Sequence, residues 1–171
     1  MITTTLNRIR EHDPCQDGWK TLLKGLGKTK ADDEPVSFVR IVEINGLDDA
    51  LWCCRVEPEH EREWRLFAVW CARQVQHLMK DPRSLAALDV AERQANGLVT
   101  DGELAVARDD AWAAARDGES AAAWAAAGTG AGTAASVAAE AAARAAARDA
   151  TRDATRDAQK AEFLRVVGGA T

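Results

Sequence analysis

The sequence predicts an all-α fold: a helical array or bundle with short N-terminal helices, a central helix pair and a C-terminal alanine-rich helical hairpin. Residues that favour helix, above all alanine, leucine, arginine and glutamate, are abundant, whereas β-branched runs are few. Along the middle of the chain, apolar residues recur at spacings of three and four, the period of an amphipathic helix. We expect residues 1–58 to form a region of short helices and residues 59–171 a second helical region, in one compact unit.

Short helices separated by tight breaks are expected in the N-terminal region. The first clear one carries four apolar residues on a single face, Trp19, Leu22, Leu23 and Leu26. Ser37 is placed to cap the next helix, which stops at Asn45-Gly46. The same residues leave a strand at 38–44 as an alternative. Asp48 can cap the helix that follows.

Helix boundaries in the middle of the chain have clear physical reasons. The apolar spacing predicts one amphipathic helix over 59–79. Asp81-Pro82 combines an N-cap with a proline at the first helical position, so a helix begins there and runs to Asn96-Gly97. Thr100 and Glu103 then match a capping box, which predicts that another helix starts at this point.

Alanine dominates from residue 104 onward, in short repeats such as Ala-Trp-Ala-Ala-Ala and Arg-Asp-Ala-Thr. Gly128–Gly132 is poor helix sequence, since each glycine costs about 1 kcal/mol relative to alanine. We therefore predict a hinge there, between two long helices near 101–127 and 133–166. Small residues on the second helix suit close packing against another helix, within the chain or across a dimer, at Ala147, Ala150, Ala154 and Ala158.

Trp112 and Trp124 stand among alanines on the first of these long helices, about 120° apart. They could anchor that helix to the aromatic part of the domain. Otherwise at least one is exposed, where tryptophan commonly anchors an interface. With the charged repeats they make up the candidate partner-binding residues Trp112, Trp124, Arg148, Asp149, Arg152, Asp153, Arg156 and Asp157.

The sequence contains no motif for catalysis or metal binding. The histidines lie in no ligand or catalytic spacing, and neither a phosphate-binding glycine loop nor a nucleophile elbow occurs. We therefore expect no catalytic residues, no metal, no cofactor and no enzymatic activity. The cysteines lack zinc spacing and are expected to be free structural thiols, at Cys15, Cys53, Cys54 and Cys71.

The charge balance bears on partners and location. A net charge of −5, from 22 basic and 27 acidic residues, gives no support to nucleic-acid binding. Lys20, Lys24 and Lys28 form a stripe that could contact phosphates, although a solvated helix face accounts for it better. The chain opens without an apolar signal-peptide core, and charges interrupt the alanine-rich tract. We expect a cytoplasmic protein without a membrane partner.

Three stretches carry a family resemblance. They are Trp-Arg-Leu-Phe-Ala-Val-Trp-Cys-Ala-Arg at 64–73, Asp81-Pro82-Arg83, and the Ala-Trp-Ala-Ala-Ala-Arg-Asp-like units of the tail. Through them residues 64–165 resemble an immunity protein-like family of alanine-rich helical bacterial and phage proteins, and depart from its pattern at Gly128–Gly132. The resemblance implies an all-helical fold and a binding role, and it transfers no catalytic residues.

The resulting hypothesis is a non-enzymatic protein-binding or neutralising factor of prokaryotic or phage origin, of the immunity or defence-inhibitor type. Its partner would be a protein that the sequence does not identify. The first alternative is a self-assembling structural helical module, a homo-oligomer joined through small-residue helix faces. The second is a weak nucleic-acid-binding regulator that uses the lysine stripe.

Overall fold

A computed structural model describes residues 1–118, 121–129, 138, 141–142 and 152–169 of the chain. Helix dominates the described residues, which confirms the all-α prediction. The chain divides into two units: Met1–Pro58 with Glu162–Thr171 form unit 1, and Glu59–Ala161 form unit 2. The predicted second region, residues 59–171, differs from unit 2 at its end, because the residues from Glu162 onward belong to unit 1.

Unit 1 is built from short helices and a two-stranded sheet. Its strands are β1 (Thr3–Thr5) and β2 (Pro35–Ser37), and its helices are α1 (Leu6–Glu11), α2 (Gln16–Gly25), α3 (Phe38–Asn45) and α4 (Leu47–Cys53), followed by a 3₁₀ turn at Cys54–Val56. The strands pair antiparallel with Thr4 opposite Val36. This sheet is not predictable from the sequence, because a three-residue strand is too short to show an alternating pattern.

Each strand of unit 1 leads directly into a capped helix. Thr5 Oγ1 accepts a hydrogen bond from the Arg8 amide at 3.2 Å. Ser37 Oγ accepts one from the Arg40 amide at 3.1 Å, so the predicted Ser37 cap is confirmed and the alternative strand at 38–44 is wrong. The predicted Asp48 cap is also wrong: Gly46, with φ of 85°, is the N-cap of α4, and Asp48 lies in the first turn.

The core of unit 1 is aliphatic and aromatic. It includes Leu6, Ile9, Phe38, Ile41, Val42, Leu51, Phe163 and Val167, all buried. The Phe38 and Phe163 rings meet edge to face with centroids 6.3 Å apart. The Ile2 amide donates to the Val167 carbonyl at 2.7 Å. Burial of Phe163 and Val167 beside residues of the first 58 is the physical reason that the last residues belong to this unit.

Unit 2 holds the longer helices. They are α5 (Glu61–Arg73), α6 (Pro82–Ala95), α7 (Asp101–Gly118) and α8 (Ala121–Gly128), with 3₁₀ turns at Pro58–His60 and Gln76–Leu78, and the chain then continues into α9 (Arg152–Gly168), which enters unit 1 at Glu162. The single helix predicted over 59–79 is wrong after Arg73, where α5 ends. The Val75 amide bonds to the Ala72 carbonyl at 3.1 Å, an i→i−3 bond that tightens the chain out of the α-helix.

The predicted caps of the middle helices are confirmed. Asp81 Oδ1 accepts from the Arg83 amide at 2.9 Å, and Pro82 occupies the first turn of α6. The Thr100 amide donates to Glu103 at 2.8 Å, while Thr100 Oγ1 accepts from the Glu103 amide at 3.2 Å. This reciprocal pair is the capping box that starts α7.

The alanine-rich part differs from the prediction in one respect. Instead of one helix over 101–127, α7 ends at Gly118 and α8 begins at Ala121 and packs against α7. Glycine is a weak helix former, which suits an end at this position. The helix α8 stops at Gly128, as the predicted hinge requires; the rest of the hinge, Gly130–Gly132, lies outside the described residues.

Candidate functional site

The two tryptophans of the alanine-rich region form an aromatic pair on unit 2. Trp112 of α7 and Trp124 of α8 meet edge to face, with ring centroids 4.7 Å apart. The prediction that they share one helix, about 120° apart, is wrong, because the helix break near Gly118 lets α8 pack on α7. Trp124 keeps 37% of its surface exposed, whereas Trp112 is half-buried.

Buried alanines support this aromatic pair. Trp112 packs against the cluster of Ala87, Ala111 and Ala127, which joins α6, α7 and α8. On α8 the alanines from 122 onward are buried, so its one long side chain, Trp124, is the exposed one. Edge-to-face contact between two aromatic rings is worth about 0.5–1.5 kcal/mol beyond burial, so Trp112 favours the observed orientation of the Trp124 ring.

The remaining candidate partner-binding residues belong to the charged repeat. Arg148 and Asp149 lie outside the described residues, as does the side chain of Arg152. Asp153 and Asp157 are exposed on α9, and Arg156 Nη1 donates to Oε1 of the buried Gln159 at 3.0 Å. The described part of this repeat lies on α9, whereas the tryptophan pair lies on α7 and α8, so the two sets are on separate helices.

The predicted packing ridge is only partly described. Ala147 and Ala150 lie outside the described residues, and Ala154 and Ala158 are exposed on α9. The buried positions of α9 are instead the polar Gln159 and the apolar Phe163 and Val167. Packing of Ala154 and Ala158 across a dimer stays a prediction.

One lysine of the predicted stripe, Lys28, forms ion pairs with two carboxylates. Lys28 Nζ lies 2.7 Å from Asp32 Oδ1 and 2.8 Å from Glu34 Oε2. These two carboxylates raise the pKa of Lys28, chiefly through their hydrogen bonds. Lys20 and Lys24 remain exposed on α2, but a pair of lysines beside an ion-paired third makes a weak phosphate-binding surface.

A groove runs between α6 and α7 in unit 2. Its volume is about 690 Å³, and it is lined by Pro82, Arg83, Ala86, Val90, Gly102, Glu103, Val106, Ala107 and Asp110. Val106 is 63% exposed at this groove. Arg83 is held at one end by Asp81 and by Asp117, whose carboxylate lies 2.9 Å from Nη2. The groove and the tryptophan pair both leave apolar side chains of unit 2 in contact with water.

A smaller pocket lies within unit 1, where sequence reasoning found no site. Helices α1 to α4 and the segment before α2 surround a cavity of about 70 Å³, lined by Ile9, Pro14, Cys15, Gly18, Trp19, Leu22, Ile41, Asn45, Asp49, Trp52 and Cys53. Most of the lining is apolar, and the polar side chains converge from α3 and α4. The cavity is well below the volume of a typical small-molecule site, so it has room for only one end of a ligand. No local sequence motif predicts this pocket, because most of its residues come from four separate helices.

Hydrogen bonds fix the polar side of the unit 1 pocket. Asn45 Nδ2 donates to the Gly18 carbonyl at 2.8 Å and to Asp49 Oδ2 at 2.7 Å. The other atom of the amide, Asn45 Oδ1, is buried, and no donor within the described chain reaches it. Burial, and then the charge of Asp49, raise the pKa of the Cys53 thiol to about 12. Cys53 is therefore a neutral, apolar part of the lining.

The remaining cysteine and histidine side chains differ in their surroundings. Cys54 and Cys71 are buried, and Cys15 is exposed. His60 lies beside Glu63 and edge to face with Trp64. Within the described residues, no group of three histidine, cysteine or acidic side chains could hold a metal ion.

None of the helices in the described ranges is both long and apolar enough to cross a membrane.

Comparisons with known proteins identify no relative of this chain. The chain matches no family model, and no match is found among curated proteins or solved structures. The resemblance to the immunity protein-like family therefore stays a prediction.

Proposed function

We propose that the chain is a non-enzymatic protein-binding factor of the immunity or defence-inhibitor type, and that unit 2 contacts the partner protein through Trp124. One observation carries this proposal: Trp124 is 37% exposed and packs edge to face against Trp112, with the two ring centroids 4.7 Å apart. Tryptophan is the residue type most enriched among the side chains that dominate binding energy at protein interfaces.

The surroundings of Trp124 favour an interface over a chance exposure. A tryptophan side chain can bury about 150–250 Å², so leaving part of it in water sacrifices hydrophobic stabilisation. Its neighbours Ala123 and Ala125 are buried and cannot move to cover it. The ring also needs little ordering on binding, because Trp112 already restricts it, and pre-ordered anchors lower the entropic cost of association.

Charged side chains near the pair supply a polar rim. Arg116 follows Trp112 by one turn on α7, and Arg116 and Asp117 are exposed. An aromatic centre surrounded by charged residues is the usual arrangement of a protein interface. Both signs of charge are present, which suits a protein surface better than a nucleic-acid backbone.

The test compares proteins that co-purify with the tagged chain and with two variants from the native cell. Trp124→Ala removes the proposed anchor, and Leu98→Ala is the matched control, since Leu98 is an exposed apolar residue of unit 2 outside the tryptophan pair. We expect one protein to co-purify with the wild type and with Leu98→Ala but not with Trp124→Ala. Binding must then be reproduced with the two purified proteins.

The affinity between the purified chain and its purified partner tests whether Trp124 is the anchor. Loss of a dominant anchor costs about 2 kcal/mol or more, so Trp124→Ala should raise Kd by roughly 30-fold or more, and Leu98→Ala by less than about threefold. Circular dichroism of each variant checks that the fold is kept. Equal affinities for the wild type and Trp124→Ala would overturn the assignment of Trp124, and a partner chemically altered by the chain would overturn the non-enzymatic function.

A further inference from the structure

The unit 1 pocket combines an apolar lining with two oxygen-bearing side chains, Asn45 and Asp49, that can accept further hydrogen bonds. Asn45 is oriented by its own hydrogen bonds: its NH₂ group faces two acceptors, the Gly18 carbonyl and Asp49 Oδ2. Rotating the amide by 180° would place its oxygen against those acceptors, so the orientation is settled by the bonding pattern. The buried Oδ1 is thereby fixed as an acceptor in need of a donor.

Asp49 adds a negative charge at the same place. Its carboxylate is half-buried and accepts from the neutral amide of Asn45 at 2.7 Å. No lysine or arginine among the described residues forms an ion pair with it; the nearby Arg55 lies instead over the Trp52 ring, 4.6 Å from its centroid. A half-buried carboxylate without a cationic partner is stabilised by a cation that enters the pocket.

Gly18 shows that the close approach of these groups is built into the helix. A methyl group at Gly18 would lie 2.7 Å from Asp49 Oδ2 and 3.0 Å from Cys15 Sγ. A Cβ at Gly18 would therefore push the Asp49 carboxylate, the end of a rotatable side chain, away from its present position. The cradle of Gly18, Asn45 and Asp49 therefore depends on the missing Cβ.

These features select one chemical class of ligand. Asp49 favours a cation, and Asn45 Oδ1 requires an N–H or O–H donor, which excludes anions and quaternary ammonium groups. Two oxygen-bearing side chains are too few for calcium or magnesium, which take about six or more oxygen ligands. The apolar lining, with Trp19 and Trp52, suits alkyl groups and cations near aromatic rings.

The size of the cavity limits how much of the ligand enters it. A cavity of 150 Å³ can hold benzene, so one of about 70 Å³ takes about three non-hydrogen atoms. We propose that the unit 1 pocket binds the primary ammonium end of an alkyl chain, with its N–H groups donating to Asp49 and Asn45 Oδ1. Two kinds of ligand carry such an alkylammonium end: a free alkylamine and the lysine side chain of another protein. This site is independent of Trp124.

The test is a titration with n-propylammonium chloride, followed by the indole N–H signals of Trp19 and Trp52 in a nuclear magnetic resonance spectrum. We expect saturable shifts of these signals, and no saturable shift with n-propanol, tetramethylammonium chloride or sodium chloride at equal concentration. Saturable shifts of equal size with n-propanol would show an apolar pocket without cation recognition, and would overturn the proposal.

Variants assign the binding to the proposed side chains. Asp49→Asn removes the charge while keeping the shape, and should raise Kd for n-propylammonium at least tenfold. Asp48→Asn is the matched control, because it makes the same charge change at the neighbouring, exposed residue, and should change Kd by less than twofold. Gly18→Ala should also weaken binding. Unperturbed signals elsewhere in unit 1 show that each variant is folded, and equal weakening by both aspartate variants would overturn the site.

A further arm separates the two sources of the ammonium group. Nα-acetyl-lysine methylamide presents the same end on a peptide backbone. Tighter binding of this compound than of n-propylammonium assigns the pocket to a lysine of a protein, and weaker binding assigns it to a free amine. Either result supports the ammonium site, whereas binding of neither compound overturns it.

Discussion

The guanidinium group of Arg65 lies buried at the end of α8, where Nη1 donates to the carbonyl oxygen of Thr129 at 3.0 Å. Arg65 is only 4% exposed and Thr129 only 1%. The Nη2 of Arg65 also pairs with the carboxylate of Glu61, which lies on α5 like Arg65. A cation at the C-terminal end of a helix interacts favourably with the helix dipole. Through its bond to Thr129, Arg65 of α5 contacts the end of α8 across 64 positions of sequence.

Replacement of Arg65 by methionine should destabilise unit 2. Methionine keeps much of the apolar stem but leaves the buried Thr129 carbonyl without this donor, at a cost of about 1–3 kcal/mol. Urea unfolding followed by circular dichroism measures the free energy. Arg62→Met is the control: Arg62 is on the same helix with 56% of its side chain exposed, and should cost less than about 0.5 kcal/mol. An Arg65→Met protein as stable as the wild type would mean that desolvation of the buried guanidinium cancels its hydrogen bonds.

Ala154→Leu should leave the melting temperature of the monomer nearly unchanged. Ala154 is exposed on α9, and leucine is almost as good a helix former as alanine, so the change should stay within about 0.5 kcal/mol. Ala126→Leu is the contrasting variant, because Ala126 is fully buried in α8 and overpacking should cost about 1–3 kcal/mol. Calorimetry with size-exclusion chromatography measures both. A dimer that Ala154→Leu dissociates would restore the predicted packing ridge as an intermolecular contact.

Acid should weaken the caps of α6 and α7. The Arg83 side chain, and then its amide, lower the pKa of Asp81, and the Thr100 amide, and then its hydroxyl, lower that of Glu103. A carboxylate with a lowered folded-state pKa contributes stability above its unfolded pKa and loses it as the pH falls through the folded value. The contribution should therefore decline below about pH 4.

The double variant Asp81→Asn, Glu103→Gln tests this pH dependence. Asparagine and glutamine keep the capping hydrogen bonds but do not titrate. We expect the melting temperature of the variant to fall less than that of the wild type between about pH 6 and about pH 3. Parallel curves for the two proteins would show that other carboxylates dominate acid unfolding.

Thiol reagents should distinguish Cys15 from the other cysteines. Cys15 is exposed, whereas burial raises the pKa of Cys53 to about 12 and that of Cys54 well above its ordinary value. Since the thiolate is the reactive form, the native protein should react rapidly with one equivalent of reagent near about pH 8, and unfolded, unreduced protein with four. Cys15→Ser should abolish the fast reaction. Fewer than four groups after unfolding would reveal a disulfide or a modification.

Local signals in the sequence determined the starts of α3, α6 and α7. Ser37, Asp81 with Pro82, and Thr100 with Glu103 act on amides two or three residues away, so their geometry follows from the chain's local conformation. The all-α class follows likewise from composition and from the three- and four-residue spacing of apolar residues.

Tertiary structure decided the features that depend on distant residues. Phe163 joins Phe38, Arg65 reaches Thr129, and β1 pairs with β2, each across a separation over which the sequence carries no periodic signal. The exposure of Trp124 and the pocket around Asn45 arise in the same way, since burial is a property of what packs on a residue. Capping is a short-range hydrogen bond, whereas burial and convergence are set by the folded chain as a whole.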